Sequence, residues 1–275
     1  MKRLINLKPR RAARVALALL PFLLIAFVYL GISSARHAEN PNDRLLPLPV
    51  QMADTFVGMA TEANVRTGSI PLWTDTAASL QRLGIGVGIS ALVALVFGLF
   101  SGGLPLFRAP FSPLITVISL IPPLAILPIL FIAFGTGETA KVVLIIVGIT
   151  PFLIRDLTGE ALRLPDEQRI KAQTLGASSW QVMLRVLLPQ LTPRLISTTR
   201  LALGSAWLFL IAAEAIAAQD GLGYRIFLVR RYLAMDVILP YVAWITLLAF
   251  VIDQALLWIS RWSFPWYHVD EKAAG

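Results

Sequence analysis

Apolar and polar stretches alternate along the chain in long blocks. A helix that crosses about 30 Å of hydrocarbon needs about 20 predominantly apolar residues. The blocks therefore predict an all-α membrane protein with about six transmembrane helices. The six predicted spans lie near residues 15–32, 81–100, 114–134, 142–154, 201–218 and 237–259.

The basic residues ahead of the first apolar block set the expected orientation. Lys2, Arg3, Lys8 and Arg10 precede it, and positive charge concentrates on the cytoplasmic side of a membrane. A cleaved signal peptide is the alternative, but this block is longer than the usual apolar region of about 7–15 residues. We expect a multi-pass chain with both termini in the cytoplasm. Its parts are a cytoplasmic N-terminus and first transmembrane helix at 1–32, an extracytoplasmic segment at 33–80, a helical core at 81–260 and a cytoplasmic tail at 261–275.

A basic polar segment at about 155–200 separates the fourth span from the fifth. Four spans bring it to the same side as the N-terminus, and its arginine and lysine residues agree with that sidedness. Its middle reads PDEQRIKAQTLGASSWQVMLRVLLPQLTPRL. Pro165, Asp166 and Glu167 suit the first turn of a helix, because carboxylates are favoured at the positive end of the helix dipole.

The same segment encodes a sharp corner between two helices. Gly176 fits the left-handed position that follows a helix, and Ser178 with Gln181 forms a capping box that starts a second helix. Pro189 and Pro193 are expected to end or kink that second helix. The alternative is an ordinary amphipathic loop that lies on the membrane surface.

Glycine and proline residues mark two of the other spans. Gly84, Gly86, Gly88 and Gly98 lie inside the second span, where close helix packing explains them better than a phosphate loop, because no Gly-Lys-Ser/Thr follows. In the third span, a proline break is tolerated where the backbone faces protein or a wet cavity. We expect a translocation pathway there, against the alternative of a kinked packing helix. The interrupting prolines are Pro122, Pro123 and Pro128.

Two carboxylates lie inside predicted spans, Glu214 in the fifth and Asp253 in the sixth. A charged group at membrane depth is costly, so each is expected in the bundle interior or a cavity. Glu214 either binds a counter-charge or lines the pathway, or it lies near the interface and is satisfied by a neighbouring helix.

Three arginines depart from the expected charge distribution. They lie between the fifth and sixth spans, on the side opposite the basic segment, and a re-entrant or surface element is one explanation. They would suit an anionic solute, or they could pair with Glu214, Asp220 and Asp236. These arginines are Arg225, Arg230 and Arg231.

Composition narrows the class of protein. Of 275 residues, 57% are hydrophobic and 15% charged, and mean hydropathy is +0.73. The net charge of +8 would suggest nucleic acid for a soluble protein; in a membrane protein, basic cytoplasmic loops beside anionic lipid explain it, and we expect no nucleic-acid partner. The chain has no cysteine, which excludes thiolate metal sites, and it has no HExxH or Gly-x-Ser-x-Gly motif for an intramembrane enzyme.

The order of helix, Gly-Ala corner, helix and Leu-Pro in a basic loop resembles the cytoplasmic EAA loop of bacterial ABC-importer permeases. Ala172, Gly176 and Leu188-Pro189 fall on that pattern, whereas Ile170 and Lys171 stand where it has Glu and the first Ala. Together with this loop, three further segments look like permeases of the nitrate/sulfonate/taurine type. These segments are PPLAILPILFIAFG, GETAKVVLI and AAEAIAAQDGLG.

The resemblance implies a transmembrane permease subunit of an ATP-driven importer for a small solute in the bacterial inner membrane. It implies a pathway between two permease copies, a separate ATPase subunit that uses the ATP, and an extracytoplasmic binding protein that delivers the solute. We expect no cofactor, metal or catalytic residue in this chain. The alternative, an ion-coupled secondary transporter or channel, would need charge relays or an inverted repeat. The residues expected to couple to the ATPase are Ala172, Leu175, Gly176 and Ala177, and those expected on the pathway are Pro122, Pro123, Pro128 and Glu214.

Overall fold

A computed structural model describes residues 11–40, 43, 45–64 and 68–269. The basic residues Lys2, Arg3, Lys8 and Arg10 and the end of the predicted tail, 270–275, lie outside the described residues. The α-helices of the described part are α1 Arg11–Glu39, α2 Pro49–Thr61, α3 Pro71–Gly103, α4 Pro105–Leu120, α5 Leu127–Phe134, α6 Glu138–Arg163, α7 Asp166–Thr174, α8 Ser179–Val182, α9 Leu188–Ala217, α10 Leu222–Val229 and α11 Met235–Ser263.

The predicted all-α fold with about six spans is confirmed. Within the described residues, five stretches are long and apolar enough to cross a membrane: α1, α3, α6, the run from α8 through α9, and α11. The sixth is the pair formed by Pro105–Leu120 and Pro123–Phe134, which is bent by 82°. The bend falls at Ile121 and Pro122, where the sequence predicts a broken helix.

Helices α3, α6 and α9 form the centre of the bundle. Leu144, Ile145, Leu153 and Leu157 of α6 are fully buried. They pack between the neighbouring helices together with Leu210 of α9. These α6 residues follow the spacing i, i+1, i+9 and i+13, which places them on one face of the helix, as expected for an amphipathic helix in a bundle.

The glycines of α3 divide into two groups. A Cβ added at Gly86 would lie 2.8 Å from Ile145 Cγ2, and one at Gly98 would lie 2.7 Å from Leu157 Cβ. These two glycines allow the close α3–α6 approach that the sequence predicts. The prediction is wrong for Gly84 and Gly88, where an added Cβ meets nothing within 4 Å and the helix borders an open groove beside α9 and α11.

Prolines end fewer helices than local rules predict. Only Leu104 separates α3 from α4, and α4 runs through Pro110 and Pro113, so the third span begins earlier than position 114. The helix that follows the corner also continues through Pro193 to Ala217. Of the predicted end or kink at Pro189 and Pro193, the end does not occur. A π-helical turn over Met183–Leu187 precedes Pro189, and this wider turn relieves the clash that proline causes in a regular helix.

Candidate functional site

The corner, which we define as Leu175, Gly176 and Ala177, joins α7 to α8. Gly176 adopts φ +84°, as predicted. Its N–H donates to Gln173 O at 2.9 Å, and the N–H of Ala177 donates to Ala172 O at 3.0 Å. These two bonds form a Schellman motif, which satisfies the last carbonyls of α7.

The other side of the corner is closed by the predicted capping box. The N–H of Gln181 donates to Ser178 Oγ at 3.3 Å, and the N–H of Ser178 donates to Gln181 Oε1 at 2.8 Å. Both helices at the corner are therefore terminated by their own local sequence.

The corner presents apolar side chains to the surroundings. Leu175 is 81% exposed, Ile170 57% and Trp180 54%. Exposed large apolar side chains in one region are typical of a surface that contacts another protein. Of the residues predicted to act in coupling, Leu175 and Gly176 are exposed, whereas Ala172 and Ala177 are half-buried.

Hydrogen bonds connect this region to the spans. Arg169 Nη2 donates to the carbonyl of Ala161 at the end of α6 at 2.5 Å, and Gln190 Nε2 of α9 donates to Gln168 Oε1 of α7 at 3.0 Å. These two bonds join α7, which leads into the corner, to both α6 and α9.

The predicted pathway prolines lie at and just after the 82° bend between Pro105–Leu120 and Pro123–Phe134. Pro122 separates α4 from a short 3-10 turn that begins at Pro123, and Pro128 lies in the first turn of α5. Exposed apolar side chains flank the bend, among them Leu120 at 73% and Ile132 at 86%. The bend is thus observed, while the role of these prolines in transport stays a prediction.

Glu214 belongs to a charged cluster at the opposite end of the bundle from the corner. This cluster consists of Arg82, Glu138, Lys141, Glu214 and Asp220. Arg82 Nη1 donates to Glu214 Oε1 at 2.7 Å and Nη2 donates to Glu138 Oε1 at 2.9 Å, while Nη2 also pairs with Asp220. Lys141 Nζ lies 2.8 Å from Glu138 Oε1. The cluster joins the ends of α3, α6 and α9.

The turn that begins α10 completes the surroundings of Glu214. Glu214 is fully buried, accepts a bond from the Ser79 hydroxyl at 2.8 Å, and accepts another from the N–H of Gly223 at 2.8 Å. A Cβ at Gly221, where φ is +116°, would lie 2.6 Å from the Glu214 carboxyl. Glycine is therefore required here by close approach as well as by backbone conformation.

Glu214 thus binds a counter-charge, one of the arrangements that the sequence predicts. Its carboxylate is occupied by Arg82, Ser79 and Gly223. A function in the translocation pathway is not tested by this geometry and stays a prediction. What the structure shows is a carboxylate that holds three elements together.

Arg225 and Arg230 contact other residues than the carboxylates that the sequence suggested as their partners. Arg225 pairs with Asp75, with Nε to Oδ2 at 2.8 Å, and not with Glu214, Asp220 or Asp236. Burial lowers the pKa of the Arg225 guanidinium, but hydrogen bonding to Asp75 and its charge outweigh this effect, so the pKa lies above its usual range. Arg230 lies over the Phe227 ring, 5.1 Å from its centroid.

Asp253 of the sixth span is also paired. Both of its carboxylate oxygens accept hydrogen bonds from Arg200 of α9, each at 2.8 Å. Arg200 lies at the end of the basic segment that the sequence shows at about 155–200. The pair joins α9 to α11 and leaves Asp253 without a free carboxylate oxygen.

Sequence reasoning missed Arg82 and Lys141, which are both almost fully buried. A signal for Arg82 was present: Asp75, Ser79 and Arg82 recur at helical spacing at the start of an apolar helix, so they share one face. Charged residues on the buried face of a span need partners, and this spacing marks the face that carries the cluster.

Comparisons with known proteins give the family. A sequence profile described as "Binding-protein-dependent transport system inner membrane component" matches residues 94–268. The taurine transport system permease protein TauC of Escherichia coli (strain K12) is 35% identical over 81% of this chain and 80% of its own length. The nitrate import permease protein NrtB of Synechococcus elongatus is 29% identical over 90% of each chain, and the bicarbonate transport system permease protein CmpB of the same species is 31% identical over 70% and 69%.

A solved structure supports the fold independently. A chain of the MetNI methionine ABC transporter in an inward-facing conformation superposes with a TM-score of 0.58, at 21% identity, over 69% of this chain and 96% of that one. The likeness in fold agrees with the sequence matches and with the spans described above. The chain belongs to the family of binding-protein-dependent transport system inner membrane components and is a permease subunit of an ABC importer.

Proposed function

We propose that this permease subunit imports a small solute that carries an oxyanion group, that it works as a pair of copies, and that a separate ABC ATPase subunit docks on the corner. The named relatives are permeases for taurine, nitrate and bicarbonate, solutes that share an oxyanion. An extracytoplasmic binding protein would deliver the solute, and the ATP would be bound and hydrolysed by the ATPase.

The observation that carries the coupling proposal is the form of the corner. Local hydrogen bonds close the corner on both sides, and apolar side chains at the corner and beside it are exposed. Side chains of α7, which leads into the corner, are bonded to α6 and α9. A rigid element with these properties can carry a rigid-body movement from a partner into the spans. The orientation we propose places the corner and both termini in the cytoplasm.

An ion-coupled secondary transporter is less well supported. Such proteins rely on ionisable groups in the spans that gain and lose a proton or ion. Glu214 and Asp253, the two candidates from the sequence, are each held by an arginine. They therefore resemble structural ion pairs more than carriers.

The corner proposal is tested by Gly176→Val. A β-branched residue in the left-handed region costs about 1–2 kcal/mol of backbone strain, and an added Cβ meets no neighbour there, so only the corner conformation is disturbed. We expect loss of co-purification with the ABC ATPase subunit of the same organism and loss of solute-stimulated ATP hydrolysis in liposomes.

The matched control is Gly84→Ala, which also adds a Cβ where no atom lies within 4 Å but within a regular helix. It should retain both the association and the stimulated hydrolysis. If Gly176→Val inserts in the membrane and stimulates hydrolysis like wild type, the ATPase does not couple through the corner.

A further inference from the structure

A polar cavity of about 470 Å³ lies beside α6, near the end of that helix that leads to the corner. It is separate from the corner and from the charged cluster. Its lining residues are Ser119, Phe152, Arg155, Asp156, Gly159 and Arg163. Cavities of this size hold small molecules.

The electrostatics of the cavity favour an anion. Its only carboxylate, Asp156, already accepts hydrogen bonds from Arg194 Nε at 2.7 Å and Nη2 at 2.6 Å, so its charge is neutralised by a residue outside the lining. Arg163 is 76% exposed and reaches Glu160 only at 3.8 Å. The guanidinium groups of Arg155 and Arg163 therefore contribute positive charge to the cavity that is uncompensated or only weakly compensated.

Arg155 is positioned by the broken span. Across the part of the chain that the structure describes, Arg155 enters no ion pair, and its Nη1 donates to Ser119 Oγ at 2.9 Å. Ser119 lies three residues before Pro122, at the 82° bend. This bond holds the guanidinium of Arg155 against the helix that leads into the bend.

Spacing along α6 places the two arginines on one face. Arg155, Gly159 and Arg163 recur every four residues, so they lie one above another, about 12 Å apart from first to last. An added Cβ at Gly159 meets nothing within 4 Å, which leaves the wall between the arginines open. A series of arginines along a pore is a general means of conducting anions.

We propose that this cavity is a transit site for the oxyanion group of the solute, with Arg155 as the binding residue, Ser119 as the residue that positions it and Arg163 as the next step toward the cytoplasm. The proposal rests on the proposed function, because it requires an oxyanion solute. It adds a place in this chain where that solute is recognised after release from the binding protein.

The test is ATP-driven uptake of labelled taurine, nitrate and bicarbonate by the complete complex in liposomes, with binding protein outside and ATP enclosed. Arg155→Gln should lower the maximal uptake rate by about tenfold or more, as loss of a charged hydrogen-bonding group implies, with KM unchanged. Solute-stimulated ATP hydrolysis should persist, which shows that the variant is folded and coupled. Arg155→Lys and Ser119→Ala should each retain part of the rate.

Arg108→Gln is the matched control, since it removes one arginine from the same end of the bundle but outside the cavity. All variants are measured in phosphatidylcholine alone and with added phosphatidylglycerol.

If the loss of uptake in Arg155→Gln appears only with the anionic lipid, Arg155 binds a headgroup phosphate and the transit site is rejected. If Arg155→Gln matches Arg108→Gln, the site is rejected while the solute class stands. If wild type imports none of the three solutes, the solute class fails and the site with it.

Discussion

The guanidinium of Arg82 joins carboxylates that lie far apart in the sequence. Glu138 begins α6, whereas Glu214 and Asp220 lie at the end of α9 and in the turn that follows it. Of these three carboxylates, only Glu214 is completely buried. A buried charge that loses its partner is strongly destabilising, whereas removal of both charges costs much less. The stability of the bundle should therefore depend on Arg82 in a way that a second substitution can reverse.

We expect Arg82→Met to lower the free energy of unfolding by about 3–5 kcal/mol, because it leaves Glu214 charged and unpaired. Arg82→Met combined with Glu214→Gln should recover part of this loss. Thermal unfolding of the purified protein in detergent, followed by intrinsic fluorescence, measures both.

Arg163→Met serves as the comparison, because Arg163 is 76% exposed and lies 3.8 Å from Glu160. Such exposed pairs contribute about 0–1 kcal/mol. Equal effects of Arg82→Met and Arg163→Met, or no recovery in the double variant, would mean that the cluster does not stabilise the bundle through the buried pair.

Among the elements, α3 makes the most specific contact, because its packing against α6 depends on glycine. A Cβ at Gly102 would lie 2.2 Å from Ala161 Cβ, and one at Gly98 would lie 2.7 Å from Leu157 Cβ. Gly84 and Gly88 of the same helix have open space. Substitutions at Gly84 and Gly88 can therefore serve as controls for substitutions at Gly98 and Gly102.

Gly98→Ala and Gly102→Ala should each destabilise the protein by about 1–3 kcal/mol, the usual cost of overpacking. Gly84→Ala and Gly88→Ala should be neutral or stabilising by up to about 1 kcal/mol, because alanine is the better helix former. The same unfolding measurement compares all four. Uniform effects would indicate that α3 faces α6 through a different side.

Local sequence was sufficient to predict the structure of the corner, but it was not sufficient to predict the charge pairs. Gly176, Ser178 and Gln181 specify their structure through bonds that span a few residues, so they could be predicted. Arg225 pairs with Asp75, 150 positions away, because the fold brings the start of α3 beside the turn before α10. No local sequence rule predicts that Arg225 and Asp75 are close in space.

The prolines also divide into those whose effect local sequence predicts and those whose effect depends on tertiary structure. The break at Pro122 follows from two adjacent prolines, which remove consecutive backbone donors. Pro193 lies within α9 without ending it, and Pro189 follows a π-helical turn. Whether a helix in a bundle tolerates proline depends on the groups around it that satisfy the freed carbonyls, and these come from tertiary structure.

At the scale of the whole molecule, the corner and the charged cluster lie at opposite ends of one bundle. α6 contains 26 residues and is about 39 Å long, which exceeds the roughly 30 Å of bilayer hydrocarbon. Glu138 begins this helix and Arg163 ends it. The cluster and the corner should therefore be exposed to opposite sides of the membrane.

Because the natural chain contains no cysteine, single cysteines can report the orientation of every loop without background labelling. Ala13→Cys, Gln173→Cys and Ser263→Cys should be protected from a membrane-impermeant maleimide in intact cells and should react after the membrane is opened. Thr136→Cys and Gln219→Cys should react in intact cells. All five positions are exposed in the structure, so protection reports sidedness and not burial. Labelling of Gln173→Cys in intact cells would place the corner outside, where it could not receive a cytoplasmic ATPase, and the coupling proposal would then fail while the fold remained correct.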